Sequence, residues 1–267
     1  EGWEIPNAPT SIPNLKSARS AAASDLVNAQ VESVNIVGYQ TMSTLPNDYT
    51  MIGVNFGAVG GASIPVKDLF TGTFLGGTGL GDADQILVWS VEAGYTGYYY
   101  TDFGAGFEEF NNKWFKDGEY TETTDVVQPG QACWLLRKSS AASDVTVAGE
   151  VLTSNVVASV EFDLLANDYT MIASPYPVDI PIANGFTVPG LIGGTGLGDA
   201  DQILVWSVGA GYTGYYYTDF GAGLEEFNNK WFKDGEYTET TDVIPAGAGF
   251  WFLNKGAAKT LTIASPI

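Results

Sequence analysis

At the usual ~150 residues per domain, a chain of 267 residues has room for about two domains. Its make-up, 45% hydrophobic, 13% aromatic and 16% charged, is that of a globular chain and not a disordered one. Acids outnumber bases by 31 to 11, so a net charge of −20 repels phosphate backbones and anionic lipid heads; nucleic acid and membrane surfaces are not expected partners. Histidine is absent, which removes Ser-His-Asp and Cys-His mechanisms and histidine metal sites, and a single cysteine forms neither an internal disulfide nor a thiolate zinc cluster.

Along the chain, residues 1–33 hold prolines and little core pattern, and read as an N-terminal extension or arm; within it Ser17 to Val27 suits a short helix or an extended arm. The start, Glu1-Gly-Trp-Glu-Ile-Pro6, reads equally as a mature terminus exposed by processing or as an arbitrary boundary of the sequence. Period-two patterns then dominate. Thr50, Ile52, Val54 and Phe56 fall on one face of a strand, and Gln85 to Val91 contains the apolar run Ile-Leu-Val-Trp of a strand covered on both faces. Tyr95 to Phe103, Ala132 to Arg137 and Val145 to Val151 supply further strands, separated by Gly, Asn, Asp and Pro turns. Phe107 to Phe115 has room for one helical turn.

The second half of the chain repeats the first. Gly193 to Ile244 reproduces Gly76 to Val127 at an offset of 117 (193 − 76); only Glu92/Gly209, Phe107/Leu224 and Val127/Ile244 differ, leaving 49 of 52 positions identical. Leu45-Pro-Asn-Asp-Tyr-Thr-Met-Ile52 matches Leu165-Ala-Asn-Asp-Tyr-Thr-Met-Ile172, and Cys133-Trp-Leu-Leu136 matches Phe250-Trp-Phe-Leu253. The fold class expected is all-β: two tandem, near-identical β-sandwich or small β-barrel units, spanning 34–151 and 152–267, after the extension. Trp89 and Trp206 are expected as buried core residues of equivalent strands. A short strand occurs three times, as Asp25 to Val31, Val145 to Val151 and Leu261 to Ile267. Either the units share a boundary strand, or one copy is spare and pairs with another molecule. The candidate interface residues are therefore Leu26, Val27, Val31, Leu261, Ile263 and Ile267.

The remaining motifs have simple structural explanations beside their functional ones. Gly76-Gly-Thr-Gly-Leu-Gly81 lacks the spacing, the lysine and the following helix of a nucleotide loop, and reads as a tight turn before a strand. Asp82 and Asp84, repeated as Asp199 and Asp201, are candidate calcium ligands, with turn capping as the alternative. Glu108-Glu109 and Glu225-Glu226 are adjacent, whereas glycosidase carboxylates face each other across ~5–10 Å, so no enzyme is expected. Cys133 aligns with Phe250, a core position. Some of Tyr98, Tyr99 and Tyr100 should point outward, where tyrosines serve packing, an interface or a sugar platform.

The Gly-Tyr-Thr-x-Tyr-Tyr-Tyr strand, a later Trp-Phe and Pro245-Ala-Gly-Ala-Gly-Phe-Trp-Phe252 together resemble secreted bacterial β-repeat surface proteins of undefined function. The resemblance covers most of each unit and transfers no site residues. The reading that follows is an acidic extracellular or cell-surface structural protein, the subunit of a fibre, sheath or surface layer. Its partners are copies of itself joined head to tail, with no membrane insertion. The alternative is a carbohydrate-binding adhesin module using exposed tyrosines, with a glycan as partner; an enzyme ranks third.

Overall fold

In a computed structural model, residues 36–266 are described. They belong to one compact unit, Asn35–Ile267. The first half contributes β1 (Val37–Thr44), β2 (Tyr49–Gly53), β3 (Ile64–Pro65), β4 (Thr71–Gly72), β5 (Gln85–Ser90), β6 (Gly94–Tyr100), β7 (Trp114–Lys116), β8 (Val126–Val127), β9 (Ala132–Leu136) and β10 (Ser143–Glu150). The second contributes β11 (Ser159–Leu164), β12 (Tyr169–Ala173), β13 (Ile180–Pro181), β14 (Gln202–Ser207), β15 (Gly211–Tyr217), β16 (Trp231–Lys233), β17 (Val243–Ile244), β18 (Gly249–Leu253) and β19 (Lys259–Ala264). The fold is all-β, built from several sheets, and among the described residues no closed barrel forms. Phe107–Phe115 runs through hydrogen-bonded turns and bends into β7 without a helical turn, whereas its counterpart in the second half carries one 3-10 turn at Glu225–Phe227.

Each half builds a five-stranded antiparallel sheet, in the order β2-β9-β5-β6-β7 and again β12-β18-β14-β15-β16. The registers correspond: Trp89 faces Tyr95 across β5 and β6, and Trp206 faces Tyr212 across β14 and β15. Alternation then sends side chains to two faces. In the first sheet Ile52, Ile86, Tyr98, Cys133 and Leu135 join Val145 and Val147 of β10 in a buried core. The β1-β10-β4 sheet covers that face. Met51, Trp134, Leu87 and Trp89 leave from the opposite face and meet Met171, Trp251, Leu204 and Trp206 of the other half. A strand with apolar partners on both sides needs no polar alternation, which is why Ile86-Leu-Val-Trp89 is a continuous apolar run.

The halves are tied by reciprocal bonds. Gly53 N–H donates to Gly247 O at 2.8 Å, and Ala173 N–H donates to Gly130 O at 2.8 Å. Trp89 and Trp206 do lie in equivalent strands, but they are half-buried and packed between the halves, not sunk in separate cores. Each indole is shared, so only part of its surface is covered by its own sheet.

The glycine loop is a structural turn. Gly77 N–H bonds Tyr100 O at 3.0 Å and Asp102 N–H bonds Gly77 O at 2.9 Å, bringing two backbones side by side. A Cβ on Gly76 would lie 2.6 Å from Asp102 Cβ and 2.9 Å from Thr101 O. Only glycine permits that approach.

Candidate functional site

The junction of the two halves is lined with aromatic rings. Trp134 packs edge-on against Trp206 with centroids 5.4 Å apart, and Trp89 packs against Trp251 at 5.5 Å. Tyr95 lies 4.9 Å from Trp89, and Tyr212 lies 4.9 Å from Trp206. Trp134 Nε1 donates to Tyr95 Oη at 3.0 Å, and Trp251 Nε1 donates to Tyr212 Oη at 3.1 Å. Followed in turn, Trp134, Trp206, Tyr212, Trp251, Trp89 and Tyr95 close a ring of six side chains. Tyr49 attaches to it through Trp134 and Tyr169 through Trp251, at 5.9 and 6.0 Å. Edge-to-face geometry sets the positive rim of one ring against the negative face of the next, a gain beyond area burial.

The tyrosines form the exposed part of this cluster. Tyr95 and Tyr212 are 46% and 48% exposed, whereas Trp134 and Trp251 are buried. A shallow bowl of about 380 Å³ opens between Trp89, Tyr95, Tyr169, Leu204, Tyr212 and Trp251, with Asp168 at its edge. Partial burial pushes the Tyr95 and Tyr212 phenols above their ordinary range, so both stay protonated at neutral pH. Each oxygen accepts from a tryptophan and keeps its own proton for an outside acceptor.

Trp89 and Trp206 belong to this cluster, but the tyrosines expected to point outward, Tyr98 to Tyr100, lie elsewhere. Tyr98 enters the main core and its hydroxyl donates to Asp125 Oδ2 at 2.7 Å. Tyr99 points the other way, yet is covered by Ala83, Phe115, Leu80 and Phe103. Tyr100 is half-buried against Phe74 and Trp114. None of the three offers an open face, because a second small cluster covers the outward side of this strand. The exposed rings come instead from strand ends, where Tyr49 and Tyr169 follow Asn-Asp turns and Tyr95 and Tyr212 follow glycine turns. A tyrosine immediately after a turn was the available signal.

The four aspartates are committed to the chain itself. The Asp82 carboxylate accepts from Thr78 N, Thr78 Oγ1 and Gly79 N at 3.0–3.1 Å, and these bonds hold it below the usual carboxylate range. Asp199 does the same with Thr195 and Gly196. Asp84 and Asp201 are fully buried and ion-paired, to Arg137 Nε at 3.2 Å and Lys259 Nζ at 2.6 Å. Asp82 and Asp84 lie in a turn, one exposed and one buried, and among the described residues no cluster of three or more potential metal ligands occurs. Turn capping accounts for Asp82 and Asp199, and charge pairing for Asp84 and Asp201.

Leu261 and Ile263 sit on β19, which pairs with β11 of the same chain, and both are buried in the core of the second half. Their side chains are taken up there. Leu26, Val27, Val31 and Ile267 lie outside the described residues. Cys133 is fully buried and its thiol is pushed up to about 12 by desolvation, as a core position requires. Glu108 is exposed, and its carboxylate accepts from Gly106 N at 3.0 Å.

No family model, curated protein or solved structure matches the chain.

Proposed function

We propose that this protein is an extracellular, cell-surface structural subunit of bacterial type, built as two tandem β-sandwich units, that joins copies of itself by adding a strand to the open edge of β1. The observation that carries this reading is the chemistry of that edge. β1 is eight residues long and pairs only with β10 among the described residues. Its sequence, Val-Gly-Tyr-Gln-Thr-Met-Ser-Thr, contains no charge and no proline in a chain with 31 acids. Edge strands are normally protected by charge, proline or brevity. Of the other edges longer than two residues, β11 carries Glu161 and Asp163, β19 carries Lys259, β7 and β16 are three residues long, and β2 and β12 are bridged to the other half at Ile52–Ala248 and Ile172–Gln131. Val37 and Tyr39 add exposed apolar surface, at 76% and 77% exposure.

The strand type that pairs with β1 recurs in the arm as Asp25 to Val31, so the arm of a second copy is the proposed donor. In the chain the same short strand, at Val145 to Val151, leads into β11 and pairs with β1 instead, away from the strand that follows it. A donor behaving likewise would leave its own β1 free. Head-to-tail contacts of this kind need not close and generate filaments. Tyr39→Lys with Thr41→Lys should abolish polymers seen by electron microscopy and sedimentation, as should deletion of residues 1–31. Polymers formed equally well by both variants would overturn the reading, and so would an intact chain that stays monomeric at raised salt, where repulsion is screened.

A second reading rests on the aromatic bowl. Flat rings beside Tyr95 Oη, Tyr212 Oη and the Asp168 carboxylate suit the apolar faces and hydroxyls of a sugar, so the same surface would serve an adhesin. Tryptophan fluorescence titrated with oligosaccharides would support it if Tyr95→Ala and Tyr212→Ala abolish the response, and would reject it if no glycan perturbs the spectrum.

A further inference from the structure

The loops that follow β6 and β7 carry an aromatic cup unrelated to the junction. Phe103, Phe107, Phe110, Phe115 and Tyr120 line a cavity of about 270 Å³. Phe107, Phe110 and Tyr120 are exposed at 53%, 37% and 77%. The phenol of Tyr120 is the one hydrogen-bonding side-chain group among these five residues. The backbone beneath is tightly fixed. Phe103 N–H donates to Asn111 Oδ1 at 2.7 Å, Asn111 Nδ2 donates to Gly104 O at 3.1 Å, and Phe110 N–H donates to Phe107 O at 2.9 Å. A row of exposed rings on so ordered a loop costs solubility without helping the core, which is the mark of a binding surface.

The charge around the cup favours a cation. Asp102, Glu108, Glu109, Asp117 and Glu119 are exposed on the same loops. The two lysines there are engaged: Lys113 Nζ donates to Glu109 O, and Lys116 pairs with Asp125 at 3.0 Å. We infer that this cup binds a small quaternary ammonium ion such as choline. Ring faces attract a desolvated cation through their quadrupole, and an alkylated nitrogen brings no hydrogen bonds for the apolar wall to satisfy. The cavity lies just below the usual ~300–1,000 Å³ of small-molecule sites, which limits the ligand to a few heavy atoms.

The repeat supplies an internal comparison. The equivalent rings in the second half are Phe220, Phe227, Phe232 and Tyr237, with Leu224 in place of Phe107. Phe227 there packs onto Phe220 and Phe232 at 6.4 and 6.5 Å, closing over the cluster. Phe107/Leu224 is the one difference between the two copies of this loop, so the cup of the first half is the proposed site.

The test is calorimetric titration of the full chain with choline and with its neutral isostere 3,3-dimethylbutan-1-ol. Choline should bind at one site, at least ~10-fold more tightly than the alcohol. Phe107→Leu should weaken it ~10-fold, Tyr120→Ala should weaken it similarly, and Glu108→Gln/Glu109→Gln should reduce its dependence on salt. Leu224→Phe should create a second site. Phe107 is half-exposed, so the fold should survive its replacement, and an unchanged circular dichroism spectrum is the control for that. Equal affinity for the alcohol, no binding of either compound, or an unchanged affinity in Phe107→Leu would overturn the inference. Co-sedimentation with phosphatidylcholine vesicles that free choline reverses would assign the cation to a lipid headgroup; no co-sedimentation assigns it to the free ion.

Discussion

Arg137 and Lys259 neutralise equivalent buried carboxylates from different positions in the two halves. Arg137 follows β9, and its guanidinium reaches Asp84 Oδ2 at 3.2 Å and Thr73 O at 2.7 Å. In the second half that position holds Asn254, which turns to Leu165 O and Ala257 O. Lys259, at the start of β19, supplies the charge and repeats both bonds: Asp201 Oδ2 at 2.6 Å and Gly190 O, the counterpart of Thr73 O, at 2.8 Å. The requirement is for a cation in that space, not for a residue at one sequence position. A buried carboxylate without one is too costly to keep.

Removing either cation should therefore destabilise strongly. Arg137→Met and Lys259→Met should each cost about 3–5 kcal/mol in urea unfolding, because a charge is left buried and unpaired. Adding Asp84→Asn to Arg137→Met should recover part of the loss. A double variant less stable than Arg137→Met alone would contradict this account.

The tryptophan pairs across the junction should be energetically coupled. A double-mutant cycle on Trp89→Ala and Trp251→Ala should give about 0.5–1.5 kcal/mol of coupling. The cycle on Trp134 and Trp206 should match it, since the contacts are reciprocal at 5.5 and 5.4 Å. Strict additivity in both would mean that the rings touch without contributing.

Two glycines of one loop should respond differently. Gly76→Ala pushes a methyl into Asp102 and the Thr101 carbonyl, and overpacking of this kind costs about 1–3 kcal/mol. Gly79→Ala meets nothing within 4 Å and should be close to neutral. Thermal melts of the two single variants decide the matter.

Acid should destabilise the fold through named aspartates. The Tyr98 hydroxyl, then Lys116, holds Asp125 below its ordinary value, and the Tyr215 hydroxyl, then Lys233, does so for Asp242. A depressed carboxylate contributes stability in full above its unfolded pKa of about 3.9 and loses it as pH falls through the lower folded value. Stability should thus decline below about pH 4, and Asp125→Asn with Asp242→Asn should flatten that limb. On the alkaline side burial raises Tyr98 and Tyr215, so stability should also fall above about pH 10, where the unfolded tyrosines ionise first.

Strand identity and the repeat are local properties, and both are legible in the residues. Alternation at Thr50 to Val54, the apolar run from Ile86 to Trp89 and the glycine and Asn-Asp turns mark β2, β5 and their boundaries, because a strand's side chains answer to its two faces. The aspartates show the limit of that logic. Asp82 and Asp84 are two residues apart and look alike in sequence, yet one caps its own turn and the other is sealed beneath an arginine 53 residues away (137 − 84). Tyr98 to Tyr100 likewise gave no hint of the small cluster that covers Tyr99, since its members, Phe103 and Phe115, belong to a loop and a neighbouring strand. The aromatic ring at the junction needs side chains from six strands in two halves of the chain. Periodicity reports which face a side chain takes, but what lies across that face depends on how distant segments pack, and only the tertiary structure decided it.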